Sequence, residues 1–239
     1  MADHKIQTQN EHNLDKTGET SGDIKKSFDI ELVCEALQRC IEDKNAIDLT
    51  HYLRGFTELL RFFNLLGKVF VFVANDVESK INILDVYLKE SENGHQYQTL
   101  QSMIAYEKTS NLLKIDISKR PSGARTLLRL HRALEFVAQF MLEVSRLDDD
   151  KGTAEVARLC YKRTLAKYHP WVIKQSASLA MYTLPYRYQL VQRAYGGTVP
   201  SSMSSVTISD SMNRLAVIAD EVFHATEKLF DEHDLLDLP

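Results

Sequence analysis

At 239 residues, 44% of them hydrophobic, the chain is long enough to bury a sizeable core in one large domain or two small ones. Its 29 lysines and arginines against 33 aspartates and glutamates leave a net charge of −4, which excludes nucleic-acid binding by bulk attraction and makes any basic site local. Cys34, Cys40 and Cys160 have neither metal-ligand nor disulfide spacing, and the chain shows no signal core or run of ~20 apolar residues, so we expect a reduced, soluble, cytoplasmic protein without metal or cofactor.

Residues 1–26 are polar and nearly free of large apolar side chains, which predicts a disordered tail; residues 27–239 are expected to form a single domain. From Phe28 the pattern turns amphipathic, with Leu32, Val33, Leu37 and Ile41 on one helix face. A very long helix is expected from about Leu53 to Lys89. Its middle is apolar nearly all round, which predicts neighbours on two sides. A shorter helix follows over roughly Tyr97 to Leu113, and SKRPSG breaks the chain before the next.

The stretch Ser122 to Leu147 reads as one long helix carrying two patterns. Leu127, Leu130, Leu134, Val137, Met141 and Val144 recur at steps of three and four and define a core face. Arg125, Arg129 and Arg132 form a second line that continues into Ala133, Phe136 and Phe140. A solvated face stays polar along its length, whereas a pocket taking a charged head at its mouth and an apolar tail in its depth needs this order. His131 falls on the polar side by angle.

The next helix is expected from Thr153 to about Tyr168, with Val156, Leu159, Cys160 and Leu165 inward, and Pro170 ends it, leaving His169 in a corner between helices. Trp171, the only tryptophan, starts the following apolar segment, where it is either a core anchor or an exposed ring suited to a membrane interface. Helices over Tyr186 to Ala194 and about Ser209 to Glu232 complete the chain. No strand pattern competes, so the fold class is all-α with about eight helices.

Asp76 and Lys80, four apart, share a face with Val69, Phe72, Val73, Ile83 and Tyr87. Two charges in an apolar stripe point to a buried pair kept for a ligand, because such a pair must recover several kcal/mol of desolvation per ion. No GxSxG, metal-ligand motif or phosphate-cradling glycine loop is present, which argues against an enzyme and leaves no catalytic residue to name.

Taken together, NDVESK, SGARTLLRLHRAL, YHPWV and the closing LLDLP resemble the glycolipid transfer protein family over roughly Phe28 to Pro239, nearest its ceramide-1-phosphate branch. The resemblance implies a two-layer helical sandwich with a surface headgroup site and an apolar cavity for the lipid chains. It implies that Asp76 binds the ceramide amide or hydroxyl and His169 the acyl carbonyl. Glycolipid-binding members carry a sugar-stacking tryptophan where this chain has Arg129, and an asparagine where it has Lys80. With Arg125 one turn away, the exchange suits an anionic head, a three-point phosphate clamp to which Lys119 and Arg120 are possible additions. Phe72, Phe136 and Phe140 are expected to line the chain cavity and Trp171 to dock on a membrane. The implied protein is a monomer, transiently peripheral at membranes, that moves a phosphorylated sphingolipid. A sensor holding its lipid to signal through a protein partner, or a glycolipid carrier, are the alternatives.

Overall fold

The computed structural model describes residues 27–114 and 120–238, so the expected N-terminal tail and Lys119 lie outside the described residues. Helices begin where a short polar side chain takes over an amide that the helix itself leaves without a partner. Asp29 accepts from Leu32 N–H at 3.1 Å to open α1, Ile30–Cys40, and Asp48 accepts from His51 N–H at 2.7 Å to open α2, Leu49–Leu65. After α3, Val71–Lys89, the Thr99 and Ser102 side chains cap each other's backbone at the start of α4, Leu100–Thr109. Ser122 caps α5, Gly123–Ser145; α6, Ala154–Arg163, α7, Trp171–Tyr182, and α8, Arg187–Ala194, follow; Ser204 caps α9, Ser205–Glu232.

The described residues thus form nine α-helices, with no strand beyond two isolated bridges, and they pack as a two-layer helical sandwich. The expected continuous helix from Leu53 to Lys89 is broken. Gly67 sits at φ +112°, where a side chain would be strained, and a 3-10 turn at Lys68–Phe70 leads into α3. Nor is this stretch covered on two sides: Val69, Val71, Phe72 and Val86 are exposed.

α5 is the central element. It packs on α9 along much of its length and also meets α3, α4 and α6; α1 joins α2 to α9, α2 lies on α3, and α7 on α6. All six residues of the anticipated α5 core face are buried. Two positions depart from the pattern. His131 is 0% exposed: its ring stacks on Phe223 at 4.4 Å, and Nε2 donates to Glu227 at 2.5 Å. Burial pulls the His131 imidazole below its ordinary pKa, and the imidazole hydrogen bond holds the Glu227 carboxyl down, so a neutral ring donates to a carboxylate. Leu159, expected inward on α6, is exposed, and the buried side of that helix is carried by Ala157, Cys160 and Tyr161.

Two buried charges pin α5 at its ends. At the start, the fully buried Glu107 of α4 accepts from Gly123 N–H at 2.5 Å, from Ala124 N–H at 2.9 Å and from Tyr97 Oη–H at 3.2 Å. At the far end, the buried Arg187 of α8 donates from Nε to Val144 O at 3.1 Å, pairs with Asp149, and reaches Ser205 and Ser209 at the start of α9. The three cysteines are free and buried, and burial pushes the Cys34 and Cys160 thiols up to about 11 and Cys40 higher still.

The Glu107 contact leaves no room beside the first residue of α5. A Cβ on Gly123 would lie 2.6 Å from Met103 Sδ, 2.9 Å from Tyr97 Cε1 and 3.1 Å from Glu107 Oε1. Gly123→Ala is therefore expected to destabilise the protein by about 1–3 kcal/mol despite alanine's better helix propensity. Thermal denaturation followed by circular dichroism checks this; an unchanged or raised midpoint would show that the cap tolerates the methyl group.

Candidate functional site

A cavity of about 620 Å³ opens between α2, α3, α5, α6 and α7. Its depth is apolar, built from Phe62 and Phe63 of α2, Val73 and Val77 of α3, Phe136, Phe140 and Met141 of α5, and Ala177 and Met181 of α7. Phe136 and Phe140, one turn apart, stack at 5.6 Å. Phe72 also lines the cavity, although its ring is partly open to solvent. Asp76, Lys80, Arg129, Arg132, Tyr168 and His169 are the polar part of the lining. The cationic line of α5 therefore does run into its aromatic continuation inside one cavity, from Arg129 onward.

The charged members reach it from three elements. Asp76 and Lys80, one turn apart on α3, form an ion pair, with Lys80 Nζ also 3.3 Å from Asp76 O. The expected buried pair is only half buried: the Asp76 side chain is 68% exposed and that of Lys80 13%. Asp76 lines the cavity and is also open to solvent, so the carboxylate stands at its rim. An exposed helical pair contributes little to stability, ~0.3–0.5 kcal/mol, so competing interactions can displace it.

Arg125 is only 8% exposed and is not among the cavity-lining residues. One of its Nη atoms donates to Leu113 O at 2.7 Å, and its Nε has no partner among the described residues. Arg129, one turn on, is exposed and lines the cavity. Arg132 lines it too: it donates to Leu236 O at 2.7 Å and lies over the Tyr168 ring at 3.8 Å, a cation–π contact. Arg120 is engaged elsewhere, paired with Glu90 at 2.8 Å.

His169 follows a 3-10 turn at Ala166–Tyr168 and takes the extended backbone that a residue before proline prefers, which turns the chain into α7 at Pro170. It is half-buried; burial holds its imidazole below the ordinary pKa, with Asp76 opposing, and Nδ1 lies 2.8 Å from the Tyr161 hydroxyl. Trp171 is 71% exposed, and Val172, Leu179 and Tyr182 on the same helix are exposed with it, so the tryptophan is not a core anchor.

Tyr161, Tyr168 and Arg132 join the site beyond the residues anticipated for it. Arg132 was legible as the third arginine of the α5 line. The tyrosines carried no signal, because an aromatic residue on an amphipathic helix reads as core.

Residues 47–196 match the sequence pattern of the Glycolipid transfer protein (GLTP) family. The Mus musculus protein named Ceramide-1-phosphate transfer protein is 34% identical over 221 residues, 91% of this chain and 99% of that one; the Xenopus laevis protein of the same name is 35% identical over 219 residues, 90% and 98%. Among solved structures, the apo-form of the mouse protein superposes with a TM-score of 0.79 at 34% identity, over 89% of this chain and 100% of that one. The human protein in complex with 2:0 ceramide-1-phosphate gives 0.79 at 29% identity, with the same coverage. The chain belongs to the glycolipid transfer protein family.

Proposed function

We propose that this protein carries ceramide-1-phosphate between membranes, without a bond-breaking step. The observation that carries the reading is the joining of an aromatic cavity to a rim where Lys80, Arg129 and Arg132 converge with Asp76 and His169. A neutral sugar head gains nothing special from a cationic rim, whereas a phosphate takes charge-assisted hydrogen bonds from its members. Lys80 and Arg129 hold the phosphate, and Arg125, buried one turn earlier on α5, is the third member of the clamp. Asp76 takes the amide N–H or the hydroxyl of the ceramide, and His169 the acyl carbonyl. The relatives named for ceramide-1-phosphate transfer support this assignment.

The chains enter the apolar depth, among Phe72, Phe136 and Phe140, where each buried methylene is worth ~0.8 kcal/mol. No helix among the described residues is long and apolar enough to cross a membrane. The protein works as a cytoplasmic monomer that docks transiently through Trp171 and the exposed apolar residues beside it. The test of the whole reading is transfer between vesicles with a panel of sphingolipids. Ceramide-1-phosphate should move at a rate proportional to protein concentration, and equal transfer of galactosylceramide would overturn the phosphate assignment.

Three variants separate the parts. Asp76→Val is expected to stop transfer of every sphingoid lipid while circular dichroism stays helical, because the amide contact is common to all headgroups; normal transfer would remove Asp76 from the site. Arg129→Leu and Lys80→Ala should each weaken ceramide-1-phosphate binding by about 1.5–3 kcal/mol, the range for a hydrogen bond to a charged group. Titration of the lipid against each variant measures this, and wild-type affinity in both would dissolve the clamp.

Trp171→Ala should slow transfer through weaker adsorption without changing headgroup preference, since a tryptophan beside Lys174 has the make-up of an interfacial anchor. Emission from this single tryptophan should shift blue on adding vesicles that lack sphingolipid. No shift, together with unchanged transfer by the variant, would move the docking surface elsewhere.

A further inference from the structure

The contact between Tyr161 and His169 does more than pack two rings. We propose that Tyr161 is a positioning residue that fixes the tautomer of His169, so that the imidazole keeps its proton on Nε2 and offers it to an acceptor in the cavity. The inference deepens the function proposed above and rests on it for the identity of the acceptor, the acyl carbonyl of the lipid.

Tyr161 is buried, 6% exposed, on the inward side of α6, and its Oη lies 2.8 Å from His169 Nδ1, with no second hydrogen-bond partner among the described residues. A buried O–H with no acceptor costs about 1–3 kcal/mol. If Nδ1 carried the imidazole proton, the nitrogen would donate to the tyrosine oxygen and the phenolic proton would be left without an acceptor among the described residues. With Nδ1 bare, the phenol donates to it and both groups are satisfied. The remaining ring proton then belongs on Nε2.

Both groups are held in the protonation states that this arrangement needs. Burial lowers the pKa of the His169 imidazole, which keeps the ring neutral at physiological pH, and burial raises that of the Tyr161 phenol, which keeps its proton in place.

The consequence is a division of labour across the rim. Asp76, as a carboxylate, can only accept, and an Nε2–H imidazole can only donate from its open side. An amide presents one donor and one acceptor on opposite edges, and so matches an acceptor and a donor placed on α3 and at the start of α7. An imidazole in the other tautomer would present a lone pair to the carbonyl oxygen and repel it. The same contact helps to set position, since the hydrogen bond spans the corner between α6 and α7 made by the 3-10 turn and the extended residue 169.

The test uses the full-length protein with ¹⁵N-labelled histidine. In wild type, without lipid, the His169 ring should show a proton-bearing Nε2 and a bare, hydrogen-bonded Nδ1; a protonated Nδ1 would overturn the inference whether or not the protein carries ceramide-1-phosphate. Tyr161→Phe removes only the hydroxyl and should give a mixed tautomer population with a shifted Nδ1 resonance. An unchanged His169 spectrum in that variant would equally overturn it.

In vesicle transfer, Tyr161→Phe should slow ceramide-1-phosphate about fivefold, the size of one neutral hydrogen bond. The same variant should lose nothing with an analogue whose acyl carbonyl is replaced by a methylene, because the donor then has no partner to lose. An equal loss on both lipids would show that Tyr161 acts only through packing. If wild type transfers neither lipid, the functional reading fails while the tautomer result still stands or falls on its own spectrum.

Discussion

The structure depends on a carboxylate under the first turn of α5. Glu107 fills the place where a helix N-terminus would otherwise bind an anion, since its two oxygens take the Gly123 and Ala124 amides. Burial pushes the Glu107 carboxyl up from its ordinary range, and the two amides oppose that shift by favouring the charged form. With the first amides of α5 already satisfied, the polar rim of the cavity is made of side chains. That sets the geometry of the rim, in which arginines stand one turn apart along α5 and face a lysine from α3. It also fixes the start of the helix, and with it the height at which Arg129 gives way to Phe136 in the cavity.

The rim is charged but not strongly tied. Asp76 is exposed where it pairs with Lys80, Arg129 is exposed, and Arg132 is shared between a carbonyl and an aromatic face. Each of these contacts is weak enough for a ligand to take over, in contrast to Arg187, whose buried guanidinium is bonded to two helices and a loop carboxylate. Site and scaffold use the same residue type for opposite ends. Arg187 is bonded into the scaffold on every side, whereas Arg129 stays open to the cavity.

Much of the molecule was legible in the sequence because helix periodicity reports burial directly. The core face of α5, the helical class and the arginine-to-phenylalanine stripe all follow from spacing of three and four. The family resemblance brought Asp76, Lys80, Arg129 and His169 to one place, and the cavity does contain all four. The misses have physical reasons. A single glycine at positive φ split the long helix, and a lone glycine in an apolar run gives no hint of its backbone angle. His131 reads as polar by angle, but Glu227, 96 residues away, satisfies its Nε2 and Phe223 covers its face, so a distant partner overrode the local pattern. Arg125 shares the spacing of Arg129 but meets Leu113 O from the preceding segment, a contact that periodicity cannot contain.

The buried thiols have a practical consequence. A thiol held near 11 is thiolate in only about one molecule in ten thousand at neutral pH, and all three sulfurs of this chain are also shielded from reagent by packing. Alkylation therefore requires the helices around Cys34, Cys40 and Cys160 to part. Two of these residues lie on α1, packed on α2 and α9, and one on α6, packed on α5 and α7. The order in which they become labelled, read by mass spectrometry, is a built-in clock for which half of the sandwich opens first, and it needs no engineered probe.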